Sequence, residues 1–366
     1  GMRRNKQKKA AQLNFVFEFS RSNIAMVFAP GATEADVTEA VLTEKKALDA
    51  ASKGIVFLLR KELPTENEVN AVSSTLVSPL MLASKGGHKS SVELLLSLKA
   101  DVKLRSKSGC TALSLAAEAG HEPVVDVLLG HGASVDEADF EECTPLLLAA
   151  WHGHAAVVDL LLRKKADLTR VDKRKHQDFT PLMRASLMGH EQAVDALLLH
   201  GAEVDASKPD GFTAMMLACS HGHSGVAKRL QAGGAEIDLT NMTGTSPLML
   251  ACKNGHLQTA EYLLGQGANV NATQHDGQAP LHVAAASGHG ALVPVLVSSK
   301  ATVDHGDING TTALMLACKE GHNDAVKQLI SHGAEGMRRN KQKKAAQLNF
   351  VFEAKKSNIA MVFAPG

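Results

Sequence analysis

Aromatic side chains are scarce in this chain: 4% of its 366 residues are Phe, Trp or Tyr, with one Trp and one Tyr. Hydrophobic residues still make up 45% of the sequence. A core of this composition must rest on many small contacts of Ala, Leu and Val rather than on a few large aromatic anchors. No apolar run approaches the roughly 18 residues that a membrane-spanning helix needs, so we expect no integral membrane span.

A 33-residue repeat fills most of the chain. Gly-His dipeptides recur every 33 residues, with one step of 36, and begin at residues 87, 120, 153, 189, 222, 255, 288 and 321. Nine residues before each lies a second marker, such as "TPLLLA" from Thr144 or "SPLMLA" from Ser246. Two markers in one register over eight copies indicate a repeat architecture.

Each copy carries the signals of two short helices. A Ser or Thr suits the N-cap, Pro suits the first helical turn, and Gly suits the left-handed residue that ends the helix. A second apolar helix follows, such as "AVVDLLL" from Ala156, and then a polar turn such as "SKPDG" from Ser207. Two helices of this length cannot bury their apolar faces alone, so the copies must stack on their neighbours.

These markers resemble those of the ankyrin-repeat family. Residues 245–277 match its unit well: "TSPLMLACKNGHLQTAEYLLGQGANVNATQHDG" contains the cap and Pro, the Gly-His, the "YLL" and the Gly-Ala step in order. The resemblance covers about residues 78–334. It implies an all-α solenoid of about eight helix-turn-helix units with β-turn fingers, in which the histidine of Gly-His is structural.

The five cysteines follow the repeat. Cys110 and Cys143 share one turn position, and Cys219, Cys252 and Cys318 share one helix position. A recurring helix position is a packing position, which favours buried free thiols over disulfides. We therefore expect a reducing, intracellular compartment, with the cytoplasm first.

The chain shows no pattern that indicates catalysis. There is no G-x-x-x-x-G-K-[ST] phosphate loop, and no nucleophile with a base and an orienting group stands apart from the repeat. Eight of the 17 histidines belong to Gly-His, and metal ligands must converge rather than spread along a row of copies. We predict no enzyme activity, no cofactor and no metal site.

Four segments are predicted. Residues 1–31 form a basic N-terminal segment, residues 32–76 a helical cap with a degenerate repeat, residues 77–335 the solenoid, and residues 336–366 a basic C-terminal segment. The cap prediction rests on "KALDAASKGIVFLLRKEL" from Lys46, which keeps the helix-Gly-helix outline without the Pro-Leu marker or the His. Terminal repeats drift in this way because one face must meet water.

The two terminal segments are near copies that differ only where Phe19, Ser20 and Arg21 are replaced by Ala354, Lys355 and Lys356. A tandem gene or polyprotein explains this duplication, and so does an artefact of cloning or transcript assembly; the genomic sequence beyond Gly366 separates them. The first segment has six Arg or Lys and one Glu, and the second has seven and one. The remaining residues then hold 39 − 13 = 26 basic and 38 − 2 = 36 acidic side chains, a net charge of −10.

Several roles for the basic segments stay open. They could lie on the acidic solenoid, bind an anionic partner such as RNA or a lipid headgroup, or bind another subunit. The N-terminal one resembles an organelle transit peptide, although its C-terminal twin cannot act as one. The apolar "LNFVF" in each could instead cover an exposed end of the solenoid.

The residues that select a partner must lie at positions where the copies differ in sequence, because the positions that the copies share are needed for stacking. By resemblance to the family, those variable positions line a concave face, in the finger turns and just before each Gly-His. The bulky or basic residues there are the candidate partner-binding set: Phe140, Trp151, His152, Phe179, Leu187, Met188, Phe212 and His221, with Lys173, Arg174 and Lys175 from the finger that holds three extra residues. That insertion either belongs to the binding face or is a tolerated surface insertion.

Two functions compete on this evidence. The first is a non-catalytic interaction module, a scaffold or adaptor that recruits a protein partner of unknown identity. The second is a structural or assembly subunit of a larger complex, held through its duplicated basic segments. Native mass spectrometry distinguishes an exchanging adaptor from a subunit of fixed stoichiometry.

Overall fold

A computed structural model describes residues 45–62, 69–173 and 178–335 of the chain. These residues form helices joined by turns, with isolated bridges in place of any sheet. They divide into two compact units, before and after the Pro181–Leu182 bond. The all-α class predicted from the repeat is confirmed.

The first unit contains helices α1 to α8. Their bounds are 45–52 for α1, Val56–Glu62 for α2, Pro79–Lys85 for α3, Lys89–Ser97 for α4, Ala112–Glu118 for α5, Glu122–Gly130 for α6, Pro145–His152 for α7 and Ala155–Arg163 for α8. The odd-numbered helices from α3 onward begin at the second residue of the marker that precedes each Gly-His and are called inner helices. The even-numbered helices from α4 onward are called outer helices.

The second unit contains helices α10 to α18 and all of α9 except its first residue, Pro181. Their bounds are Pro181–Met188 for α9, Glu191–Leu199 for α10, Ala214–Ser220 for α11, Ser224–Ala232 for α12, Pro247–Lys253 for α13, Leu257–Gly265 for α14, Pro280–Ala286 for α15, Leu292–Ser298 for α16, Ala313–Glu320 for α17 and Asn323–Ser331 for α18.

The inner helices start as their sequence predicts. The Thr144 hydroxyl accepts the amide N–H of Leu147 at 3.3 Å, and Ser246 does the same for Met249 at 3.3 Å. Each cap satisfies one of the amide groups that a first helical turn leaves unpaired. Copy seven has Ala279 at this position, and the Nδ1 atom of His282 accepts the Ala279 N–H at 3.3 Å instead.

Each unit is held together by stacking of like helices. In the first unit α3 packs on α5 and α5 on α7; in the second, α11, α13, α15 and α17 pack in succession. The buried side chains between them are mainly Ala, Leu, Val and Met, as the composition predicts. Burial of each Leu or Met side chain stabilises the fold by about 1.5–3 kcal/mol.

The Gly-His dipeptide joins neighbouring copies. The Nε2–H group of His121 donates to the carbonyl oxygen of Lys85 at 3.0 Å, and that of His322 donates to Ala286 at 3.0 Å. The same bond is present from His88, His154, His223, His256 and His289 to the residue 36 positions earlier. The predicted structural role of this histidine is confirmed, and its partner lies in the preceding copy.

The degenerate repeat keeps this register. Gly54, 33 residues before Gly87, has a positive φ of 69°, and the His88 ring lies over it. Helices α1 and α2 flank Gly54, although the next residue is Ile55 instead of His. Residues 32–44 and 63–68 of the predicted cap lie outside the described residues, as do both basic segments, so those boundaries stay predictions.

The five cysteines are all free thiols. Cys143, Cys219 and Cys252 are buried, and Cys110 and Cys318 are partly buried. Burial raises the pKa of the Cys252 thiol to about 12 and raises that of Cys219 further. Thiols held protonated in this way are packing groups and poor nucleophiles.

Candidate partner-binding face

The turn before each inner helix is called a finger. In every finger of ordinary length, the residue four positions before the N-cap is called the fingertip. In the third copy the fingertip is Phe140, whose N–H donates to the Ser108 carbonyl of the preceding finger at 3.2 Å. Its side chain is 68% exposed, and the Arg105 guanidinium lies 5.2 Å from the ring centroid. Phe140 therefore reaches solvent, and its role in partner binding stays a prediction.

Phe179 occupies a different finger position, directly before the cap. It is only 4% exposed, so its side chain lies in the core, where a partner does not reach it, and its place in the candidate set is wrong. The Phe179 carbonyl accepts the N–H of Asp172 at 3.2 Å, which closes the base of the longer finger and turns the ring into the core. The sequence analysis treated Phe140 and Phe179 as equivalent because both lie in the turn before a cap. Phe140 is four residues before its cap, whereas Phe179 is one residue before its cap.

Phe212 shares the position of Phe179 but is half-buried. Its N–H donates to the Asp210 carboxylate at 3.2 Å, and the Lys208 ammonium lies 5.4 Å from its ring centroid. Lys208 also pairs with Asp210 at 3.0 Å. The half-buried Phe212 ring thus lies beside an ion pair.

Trp151 and His152 end helix α7. Trp151 is partly buried and His152 exposed, and their rings stack with centroids 6.0 Å apart. His152 stacks in turn on His154 at 6.1 Å, and its Nε2 lies 3.9 Å from a Glu118 carboxylate oxygen. The result is a short aromatic row beside an acidic side chain, at the C-terminal end of an inner helix.

The second unit holds Leu187, Met188 and His221. Met188 is 46% exposed, and Leu187 is half-buried while its carbonyl accepts from His223 Nε2 at 3.1 Å. His221 is exposed and stacks on His223, with centroids 6.2 Å apart. Desolvation lowers the pKa of His223, so this imidazole stays neutral at physiological pH.

The insertion finger is described only in part. Lys173 is exposed and pairs with Glu142 at 2.6 Å, so part of its charge is neutralised. Arg174 and Lys175 lie outside the described residues. Among the described candidates, Phe140, Trp151, His152, Lys173 and Phe179 belong to the first unit, and Leu187, Met188, Phe212 and His221 belong to the second.

Two exposed fingertips escaped the sequence analysis. Met242 is 70% exposed and Ile308 is 72% exposed, each four residues before its cap as Phe140 is. Counting back from Ser246 and Thr312 would have found both, because the cap fixes the finger register. The finger candidates taken from the sequence were aromatic or basic, so these two apolar side chains were not among them.

Neither a metal centre nor a membrane span emerges from the described parts of the chain. Among those residues, no three His, Cys, Asp or Glu side chains converge as metal ligands would. None of the helices described has the length and apolar character needed to cross a bilayer.

A family model described as ankyrin repeats in three copies matches five overlapping stretches, which together run from residue 48 to residue 340. The chain belongs to the ankyrin-repeat family. Ankyrin repeats generally mediate protein-protein interactions and are typically non-catalytic. The first match begins within α1, so it includes the degenerate repeat. No curated protein matches this chain.

Proposed function

We propose that this ankyrin-repeat protein is a non-catalytic module that binds a partner protein through its fingers and the C-terminal ends of its inner helices. One observation carries the proposal: the large Phe140 side chain is 68% exposed at a position where stacking does not need it. The equivalent fingertip in the preceding copy is Lys107, and the finger there keeps its turn.

Trp151 supports the same face. It ends the inner helix that the Phe140 finger leads into, so one copy supplies both aromatic side chains. Truncation of an aromatic anchor in an interface typically costs about 2 kcal/mol or more of binding free energy. Phe140 and Trp151 therefore form the centre of the proposed contact, with His152 and Lys173 at its polar margin.

Affinity capture from the source cell, followed by mass spectrometry, tests the proposal. Wild-type protein should retain a partner that the Phe140→Ala variant retains at least about tenfold less, since tenfold corresponds to about 1.4 kcal/mol. Leu199→Ala is the matched control, because Leu199 is 82% exposed but ends an outer helix. Equal retention by both variants would contradict the proposed face.

The second candidate is a permanent subunit of a larger complex, attached through the two basic segments. It is favoured by the duplication of a strongly basic sequence at residues 1–31 and 336–366. Native mass spectrometry of protein isolated from the source cell tests it. A fixed stoichiometry that persists on dilution supports the subunit, and free protein that exchanges with a partner supports the adaptor.

A further inference from the structure

Three consecutive fingers of the second unit place their tips in one row. The tips are Met242, His275 and Ile308, and all three are exposed. The His275 N–H donates to Thr243 of the preceding finger at 3.1 Å, and the Ile308 N–H donates to Asp276 of the preceding finger at 3.0 Å. These bonds fix the register between fingers, so the three side chains follow one another along a single border, called the finger edge.

The finger edge is mainly acidic. The three equivalent stretches that form it, residues 233–245, 266–278 and 299–311, contain one basic residue, Lys300, and five acidic ones, Glu236, Asp238, Asp276, Asp304 and Asp307. Two exposed apolar tips, Met242 and Ile308, among mainly acidic side chains suit a ligand that is itself both apolar and basic. An acidic ligand would be repelled by these carboxylates. A purely apolar ligand would remove water from them without replacing its hydrogen bonds.

A ligand of this kind is part of the same polypeptide chain. The Glu335 N–H donates to the Asp304 carboxylate at 3.1 Å, so the chain leaves the last copy beside the finger that carries Ile308. Residues 336–366, which lie outside the described residues, hold seven Lys or Arg and one Glu, with the apolar "LNFVF" from Leu348. The chain between Glu335 and Leu348 can extend up to about 43 Å at roughly 3.3 Å per residue.

We propose that residues 338–352 of the C-terminal segment bind along the finger edge formed by Met242, His275 and Ile308. Lys and Arg side chains of "RRNKQKK" meet the carboxylates, and "LNFVF" covers the apolar tips. Tethering at Glu335 gives the segment an effective concentration on the order of millimolar, so a weak contact suffices. The proposal does not depend on a partner at Phe140 and Trp151.

Photocrosslinking in the full chain tests this contact. Met242 is replaced by p-benzoylphenylalanine, the protein is irradiated, and tryptic peptides are identified by mass spectrometry. We expect crosslinks to residues 345–355, "AAQLNFVFEAK", which differ in mass from the N-terminal twin, residues 10–21, "AAQLNFVFEFSR". The same replacement at Ile308 gives a second probe, and circular dichroism checks the fold of both.

The matched control places the photocrosslinker at Leu199, which is as exposed as Met242 but ends an outer helix. We expect crosslinking at Met242 to exceed that at Leu199 at least about tenfold, given millimolar tethering. Changing Lys341, Lys343 and Lys344 to Glu should abolish the excess, and so should about 1 M salt, where the screening length falls to about 3 Å.

Other outcomes overturn the proposal. Crosslinks to residues 10–21 would show that the N-terminal twin occupies the edge. Crosslinks that pair light with isotope-labelled protein in a mixed sample would show that a second copy occupies it. An equal yield at Leu199, or a yield indifferent to the Lys→Glu changes, would show that the finger edge does not select the segment.

Discussion

The Nε2–H group of His289 donates to the carbonyl oxygen of Lys253 at 3.0 Å, and the ring of the same histidine lies over Gly255. One side chain thus bonds to the end of the preceding inner helix and fills the space above the preceding glycine. A Cβ on Gly255 would come within 2.6 Å of the His289 ring. Gly and His recur as a pair because the His of one copy requires the Gly of the copy before it.

Gly255→Val should therefore unfold several copies of the second unit together. Gly255 has a φ of 74°, which costs a side chain roughly 1–2 kcal/mol, and the contact with His289 adds roughly 1–3 kcal/mol. Gly267→Val is the matched control, because Gly267 has a φ of 90° with no atom within 4 Å of an added Cβ. Thermal unfolding followed by circular dichroism compares them.

Equal destabilisation by the Gly255 and Gly267 variants would show that backbone strain alone matters and that the His289 contact does not. The same change at Gly31, in the basic N-terminal segment, should leave the melting curve in place. A loss there equal to that at Gly255 would argue against a core made only of stacked copies.

Phe179→Ala should destabilise the protein far more than Phe140→Ala. Phe179 is 4% exposed and Phe140 is 68% exposed. Removing a buried Phe typically costs about 3–5 kcal/mol, whereas an exposed Phe140 should lose less than about 1 kcal/mol, chiefly its contact with Arg105. Chemical denaturation measures both losses. Similar values for the two variants would contradict the assignment of one to the core and the other to the surface.

The stability of copy seven should fall in acid. His282 caps its helix by accepting the Ala279 N–H at Nδ1, and its Nε2–H donates to the Thr311 carbonyl at 3.2 Å. Desolvation lowers the pKa of this imidazole from its ordinary 6.5, with a further contribution from His305, which lies edge-on at 5.5 Å. The backbone hydrogen bonds with Thr311 and His305 and the charge of Asp307 act in the opposite direction, but burial prevails.

The folded state thus favours neutral His282, so its contribution is complete above pH 6.5 and is lost as the pH falls below that value toward the folded pKa. The matched variant combines Ala279→Thr with His282→Met, which reproduces the cap and methionine of copies such as Thr213 and Met216. Its unfolding free energy should decline less than that of the wild type between neutral pH and mild acid. An identical decline would remove His282 from the explanation.

The fold was predictable because the signals for helix start and helix end recur with the 33-residue repeat. The cap at Thr144, the proline after it and the left-handed Gly153 all act within one copy, and each is visible in the sequence. The bond from His154 to Glu118 was not visible, because its acceptor belongs to the neighbouring copy.

The candidate face was predictable only in part. A large apolar residue near a cap can lie at a fingertip, as Phe140 does, or against the core, as Phe179 does, and the register decides between them. Phe179 lies directly before its cap, at the position that buried Cys143 occupies in the third copy, so counting back from Thr180 separates it from a fingertip. Met242 and Ile308 lie in fingers of ordinary length. Their exposure follows from their position four residues before the cap.

The central claim is that Trp151 and Phe140 bind a protein partner, and the Trp151→Ala variant tests it most directly. Its dissociation constant for the captured partner and its melting temperature should be measured together, with Lys319→Ala on the last copy as the control. The account predicts that affinity falls roughly tenfold or more, about 1.4 kcal/mol, while the melting temperature changes little and Lys319→Ala alters neither. A sharp fall in melting temperature with unchanged affinity of the protein that remains folded would show that Trp151 belongs to the core and that the partner binds elsewhere.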